Sequence, residues 1–270
     1  MTPSHGADCS PFQEVFVSEL RARREMAGLS RNKLAAALGC TPQWIAKVET
    51  FEKAPSEGLA DDLDTYFEAH GAFRRMWERH MEVRRRGLIP SGFRPLAEAE
   101  PDASQFSIFA PLLIPGILQT EEHARMVFEA EQPPDKVEEL LSLRMARQSI
   151  FAKPQPPLVF LLLREAVVRD LREEIREEQC KRLIDMAQML NVSIQIIPTR
   201  ARVFQGSGFQ LLSFDESADV AYVDGASGYG QMLTKPASVR RLAVLFNLIR
   251  STALSAEDSE HLIRSTMESV

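Results

Sequence analysis

Apolar residues return at helical spacing in a segment near the start of the chain. Leu34, Ala35 and Leu38 share one face of a predicted helix. After a short interruption, Ile45 and Val48 share one face of a second helix. Ala35 is small enough to let the two helices cross closely. The pattern therefore predicts two short helices that pack against each other.

The residues that flank these apolar positions are typical of helix boundaries. Ser30 and Thr41 are N-cap candidates, Pro42 suits a first helical position, and Gly39 suits a left-handed C-cap. Together they predict a helix-turn-helix over residues 30–49, a motif whose second helix enters the major groove of DNA. The alternative interpretation is an ordinary helical hairpin in the core of a bundle.

Three polar or amphipathic residues lie on the outward side of the second predicted helix: Gln43, Trp44 and Lys47. Glutamine can bond an adenine edge in two places, and lysine can donate to guanine O6 and N7. Trp44 has two interpretations that the sequence leaves open. It contacts a thymine methyl group or a sugar, or it packs on Arg31 or the neighbouring helix.

We expect phosphate contacts from Arg31, Thr41 and Lys53, because cations, hydroxyls and helix N-termini suit phosphate oxygens. Residues 1–95 carry 14 Lys+Arg and 13 Asp+Glu, so the net charge of the chain, -6, falls almost wholly on the remainder. A near-neutral DNA-binding domain predicts modest non-specific affinity and a need for dimerisation. Its basic residues must also share one face, and the candidates are Arg23, Arg24, Arg31, Lys33, Lys47 and Lys53.

The surrounding pattern completes a small all-α domain over residues 12–87. It predicts one helix over 12–27, one that opens at Ser56, and one over 70–87. The last of these carries an apolar stripe that we interpret as core or as a dimer seam. Four or five short helices around one core form a plausible independent domain.

Residues 88–104 are rich in Pro, Ala and Glu and predict a linker. A second domain follows over 105–270. Its pattern predicts strands over 106–114, 158–163, 192–197, 209–214 and 220–223. It predicts helices over 120–130, 133–151, 174–190, 239–254 and 255–267, the last with a capping box. The fold class is therefore α+β, an all-α helix-turn-helix domain followed by an α+β domain with a small, mostly antiparallel sheet.

Composition narrows the function classes. Cys9, Cys40 and Cys180 fit neither a disulfide framework nor a zinc spacing, and the five histidines form no ligand motif. The glycine-rich residues 224–230 lack a phosphate-loop lysine, and we interpret them as a turn. We therefore predict no enzyme, no cofactor and no metal. No apolar run suits a membrane span and no signal peptide is visible, so we expect a cytoplasmic protein, associated with the nucleoid when bound to DNA and without a membrane partner.

Two parts of the chain resemble known families. Residues 30–49 resemble the Cro/CI-type, or XRE-type, helix-turn-helix family. The sequence from Ile114 to Arg125, IPGILQTEEHAR, resembles the signature vPGLLQTeeYAR of a large group of actinobacterial regulators. Further pieces match in the expected order: Arg144–Gln148, Phe209–Phe214 and Ala253–Ser255. The resemblance implies an antitoxin-like regulator with a C-terminal domain of unknown function, often encoded beside a small protein that is its partner.

The chain departs from that resemblance at three places. Members usually carry a glycine and basic residues after the recognition helix, where this chain has Thr50-Phe51-Glu52-Lys53. Arg31 replaces a usual glutamine, and His123 replaces a common tyrosine. Glu52 beside a phosphate would lower affinity, so the contacts of this loop are open.

The leading hypothesis is a transcriptional regulator that binds double-stranded DNA as a homodimer on a two-fold-related operator. Its C-terminal domain dimerises, binds the small protein of a neighbouring gene, or senses a ligand. One alternative is a protein-binding, antitoxin-like module that neutralises that partner. Another is a small-molecule sensor with a C-terminal pocket.

Overall fold

The computed structural model describes residues 11–268. The chain divides into two compact units, one ending at Leu88 and the other beginning at Ile89. The first unit is all-α and the second is α+β, which confirms the predicted fold class.

Five helices form the described part of the first unit: α1 (Pro11–Met26), α2 (Arg31–Ala37), α3 (Pro42–Glu49), α4 (Glu57–Tyr66) and α5 (Ala72–Leu88). Their apolar faces meet in one core, where Leu34, Ala35, Ile45 and Val48 are all fully buried. The amphipathic pattern of the sequence thus locates both helices of the predicted pair. The core also contains residues of α1 and α5, which shows that α2 and α3 belong to a packed domain.

Over residues 89–268 the second unit contains a six-stranded sheet and seven α-helices. The strands are β1 (Gln105–Ala110), β2 (Leu158–Arg164), β3 (Val192–Ile197), β4 (Phe209–Ser213), β5 (Val220–Val223) and β6 (Gln231–Leu233). The helices are α6 (Arg94–Ala99), α7 (Glu121–Glu131), α8 (Pro134–Arg147), α9 (Glu165–Arg169), α10 (Glu173–Ala187), α11 (Pro236–Arg250) and α12 (Ala256–Glu268).

The strand order is β3-β2-β1-β4-β5-β6. β3, β2 and β1 pair in parallel, whereas β1–β4, β4–β5 and β5–β6 are antiparallel pairs. The sheet is therefore mixed and mostly antiparallel, as predicted. Side chains alternate between its two faces. Phe106 and Ile108 face the core shared with α10 and α12, whereas Phe109 faces a core that α11 covers.

Local structure differs from the sequence-based prediction at four places, one of which is the short helix α9, absent from the predicted elements. The first strand ends at Ala110 and not at residue 114, since the rest of the apolar run that predicted it forms a loop. The glycine-rich turn leads into β6, which the pattern of residues 231–233 does not reveal. The predicted linker over 88–104 contains α6, whose Leu96 is fully buried in the core of the second unit. Proline at the start of that helix is compatible with helical structure and does not by itself indicate a linker.

The signature segment, residues 114–125, forms a hydrogen-bond network with Arg144 of α8 and with Gln148, which follows that helix. The Gln119 side chain donates to the carbonyl of Ile114 (2.9 Å) and accepts from the Arg144 guanidinium (2.8 Å). The Gln148 amide donates to the carbonyls of Gly116 (3.2 Å) and Gln119 (2.7 Å). Two sequence pieces that carry the family resemblance are therefore direct contact partners in the fold.

A second part of this network joins the segment to α10. The Gln179 carbonyl oxygen accepts from the backbone N–H of Thr120 (2.9 Å) and lies 2.7 Å from Nδ1 of His123. The Gln179 amide donates to the carbonyl of Leu118 (3.0 Å). Gln179 and His123 are both buried, so each needs these partners. The network fixes α7 against α10.

Burial lowers the pKa of His123 below its ordinary value, although the hydrogen bond with Gln179 opposes that shift. The folded protein therefore takes up a proton at His123 less readily than the unfolded chain, whose imidazole titrates at about pH 6.5. The free energy of unfolding consequently falls as the pH drops through this range.

We predict that His123→Gln reduces the loss of stability between pH 7.5 and pH 5.5, measured by urea unfolding at both values. His261→Gln, which changes an exposed histidine, is the matched control and should keep the pH dependence of the wild type. Equal pH dependence in all three proteins would contradict a lowered pKa for the buried His123.

Candidate nucleic-acid interface

The turn between α2 and α3 has the capping geometry of a helix-turn-helix. Ser30 Oγ accepts from the backbone N–H of Lys33, and Thr41 Oγ1 accepts from that of Trp44, both at 3.2 Å. Gly39 has a φ of +66°, which a residue with a Cβ rarely adopts. These features confirm the predicted boundaries and fix the angle at which α3 leaves the turn.

α3 presents a polar face to solvent. Gln43 and Lys47 are exposed and lie one helical turn apart on that face. Trp44 is half-buried and packs on the core of the first unit. Of the two interpretations of Trp44, packing is therefore the one with observed contacts.

The carboxylate of Glu49, at the last position of α3, is fully buried and doubly paired. Its Oε1 lies 2.7 Å from Nε of Arg24, and its Oε2 lies 2.6 Å from Nε of Arg31. The Arg21 guanidinium donates to its backbone carbonyl. One residue thus ties the end of α3 to α1 and to the start of α2.

The electrostatics of Glu49 follow from these contacts. Burial acts to raise its pKa, but hydrogen bonds from Arg24 and Arg31 outweigh burial and hold the pKa below its ordinary value. A helix C-terminus also disfavours a carboxylate. The two arginines therefore compensate for burial and for the helix dipole together.

This ion-pair cluster changes the set of basic residues that can face DNA. The Arg24 side chain is only 12% exposed, and Arg23 pairs with Glu19 and donates to a backbone carbonyl. Arg24 is therefore engaged within the fold, and Arg23 is already paired on the surface of α1, so both offer less charge to DNA than the sequence suggests. Arg31 is 44% exposed and uses its Nε–H for Glu49, which leaves its terminal N–H groups for another partner.

Three lysines complete the exposed basic set: Lys33, Lys47 and Lys53. Within residues 11–268 their side chains form no hydrogen bond or ion pair. The backbone N–H of Lys53 donates to the carbonyl of Lys47 (3.1 Å), which holds the loop after α3 against the helix. Thr41 is exposed at the N-terminus of α3, on the same motif.

The loop after α3 explains one departure from the family resemblance. Phe51 adopts a φ of +63°, a left-handed conformation that favours glycine. For a residue with a Cβ this conformation costs about 1–3 kcal/mol. Its ring packs on the core and lies 5.9 Å from the Arg21 guanidinium. Packing and a cation–π contact thus compensate for the missing glycine. Glu52 is exposed and accepts from the Thr50 hydroxyl (3.0 Å).

Sequence reasoning missed Glu49. One feature of the sequence could have indicated its importance. Glu49 lies in the last turn of a predicted helix, where a carboxylate is unfavourable unless a cation pairs with it. Four arginines in the preceding segments could supply one, but their pairing is a tertiary contact. Spacing along the chain therefore does not reveal which of them pair with it.

We predict that Glu49→Gln lowers the free energy of unfolding of the first unit by about 3–5 kcal/mol, because it leaves the largely buried Arg24 without its buried counter-charge. Glu19→Gln is the control. It breaks an ion pair on the surface of α1 and should cost about 1 kcal/mol or less. Equal effects of the two changes in a denaturant titration would contradict a structural role for Glu49.

We also searched residues 11–268 for metal sites and for membrane-spanning helices. Over residues 11–268, no group of three His, Cys, Asp or Glu side chains is placed to hold a metal ion. No helix in that range is both long and apolar enough to cross a membrane.

Comparison with protein families agrees with the two-unit architecture. Residues 15–77 match a helix-turn-helix domain, and residues 93–265 match a domain of unknown function, DUF5753. No curated protein and no solved structure matches the chain. The second match covers most of the chain and coincides with the α+β unit, while the first contains α2 and α3. The chain therefore belongs to the DUF5753 family and carries a helix-turn-helix domain ahead of the family domain.

Proposed function

We propose that the protein is a sequence-specific transcriptional regulator that binds double-stranded DNA as a homodimer. The observation that carries this proposal is α3, a capped helix with an exposed polar face and a buried anchor at its end. A helix that reads bases must be held rigidly while its outer side chains stay free. The membership of residues 15–77 in a helix-turn-helix family supports the same role.

Five exposed residues of the motif and of the loop after it have roles in this proposal. Gln43 bonds an adenine edge and Lys47 donates to guanine, which provides base discrimination. Arg31 and Lys53 contact phosphates by charge, and the Thr41 hydroxyl donates to a phosphate while its oxygen caps α3. Phosphate contacts position α3, and base contacts specify the sequence.

The charge balance supports dimeric binding. With Arg23 and Arg24 already engaged in ion pairs, one copy offers few free cations to phosphates. A second copy doubles the contacts. A two-fold dimer then matches a two-fold-related operator, with half-sites about one helical turn, ~34 Å, apart.

The second unit supplies regulation in this proposal. It provides the dimer contact and binds a small protein encoded by a neighbouring gene, as the resemblance to antitoxin-like actinobacterial regulators of the XRE type implies. It acts by binding and not by catalysis. The complex works in the cytoplasm, on the nucleoid when DNA is bound.

The test is the affinity of the full chain for DNA from its own promoter. Gln43→Ala with Lys47→Ala should weaken binding tenfold to a hundredfold or more, since a good side-chain–base pair contributes about 1–3 kcal/mol. The matched control is Lys181→Ala with Gln188→Ala, which removes the same two residue types from exposed positions of the second unit. Equal DNA affinity in all three proteins would show that α3 does not read the bases.

A further inference from the structure

Three loops of the second unit leave the same edge of the sheet. Residues 111–115 follow β1, residues 198–208 lead into β4, and residues 224–230 follow β5. The strand register pairs the first residue of β4 both with the next-to-last residue of β1 and with the last residue of β5. The three loops are therefore neighbours.

These loops carry four large apolar side chains in solvent, which we call the apolar edge. They are Leu112 (80% exposed), Leu113 (45%), Phe204 (94%) and Tyr229 (75%). Isolated exposed apolar residues are common on proteins, but a concentration of aromatic and aliphatic residues at one place marks an interaction surface. The three neighbouring loops place all four side chains at one end of the sheet.

The segment that presents Phe204 is firmly held. Next to it, Val203 is buried in the core that α11 covers, and its carbonyl accepts from the Arg164 guanidinium (2.5 Å). Further back, Glu165 accepts from the backbone N–H of Thr199 (2.8 Å) and from its hydroxyl (3.1 Å). Phe204 is thus exposed on an anchored segment, and little conformational entropy is lost when a partner binds it.

The charges beside the apolar edge are mainly positive. Arg200 and Arg202 are exposed and, within the described chain, form no ion pair. Asp224 is the one acidic residue in the three loops, which contain no lysine or glutamate. Aromatic residues and arginine are enriched at protein interfaces, whereas lysine, glutamate and aspartate are depleted there. The composition of this surface therefore fits contact with another polypeptide.

We propose that the apolar edge binds a segment of a partner protein that combines apolar anchor residues with acidic side chains. The anchors pack on Phe204, Tyr229 and Leu112, and the carboxylates pair with Arg200 and Arg202. This assignment rests on the partner-binding role proposed for the second unit and gives that role a place and a chemistry.

Two other occupants fit this surface less well. A two-fold contact with a second copy would bring Arg200 and Arg202 of both chains together, with only Asp224 of each chain against them. Nucleic acid would meet aliphatic side chains that cannot pair with phosphates. It would also approach the part of the chain that carries the negative net charge. An acidic, apolar polypeptide satisfies both the charges and the exposed rings.

The test is selection of a random 12-residue peptide library on the full chain. Enriched peptides should contain apolar residues flanked by Asp or Glu. The chosen peptide should bind at least tenfold more weakly to Phe204→Ser and to Arg200→Glu with Arg202→Glu. Two matched controls should keep wild-type peptide affinity: Leu190→Ser, a fully exposed leucine at the opposite edge of the sheet, and Arg240→Glu with Arg241→Glu on exposed α11 positions.

Several outcomes would overturn the proposal: no enrichment, enrichment of basic peptides, or equal binding by all variants. Two more would assign the surface to another occupant. These are a loss of self-association in Phe204→Ser by sedimentation, and a loss of duplex DNA affinity in Arg200→Glu with Arg202→Glu. DNA binding through α3 is measured on the same variants. A failure of peptide binding with intact DNA affinity would therefore reject the apolar edge and leave the proposed DNA-binding function standing.

Discussion

A buried carboxylate at the end of α3 determines how the first unit presents its polar face. Glu49 is shared by Arg24 of α1 and Arg31 of α2, so the three helices are fixed to one another through a single side chain. A buried ion pair contributes little net stability compared with an apolar substitute, but breaking one leaves an uncompensated charge. We infer that Glu49 determines the orientation of α3 more than it adds to overall stability.

The same cluster decides which cations remain for a partner. Arg24 is engaged in the fold, and Arg31 is shared between Glu49 and solvent. An arginine held at its Nε by a carboxylate keeps its terminal N–H groups aimed in one direction. The proposed phosphate contact of Arg31 therefore starts from an oriented group, which reduces the entropy lost on binding.

The sequence predicted most of the elements because local rules agree with the fold in this chain. Caps at Ser30 and Thr41 and the left-handed Gly39 are local features, and the structure has all three. Contacts between residues far apart in the chain could not be predicted from the sequence pattern. Neither the pairing of Glu49 nor the network around Gln179 follows from spacing, because each joins helices far apart in the chain. Helix α6 was also missed, because Pro and Ala are typical of linkers as well as of helix starts.

We propose that α3 reads DNA as part of a two-fold dimer. Selection of binding sites from a random duplex library by the full chain tests it most directly. We expect a consensus of two inverted half-sites, centred about 34 Å or one helical turn apart. An asymmetric single site, or no enrichment over the starting library, would contradict it.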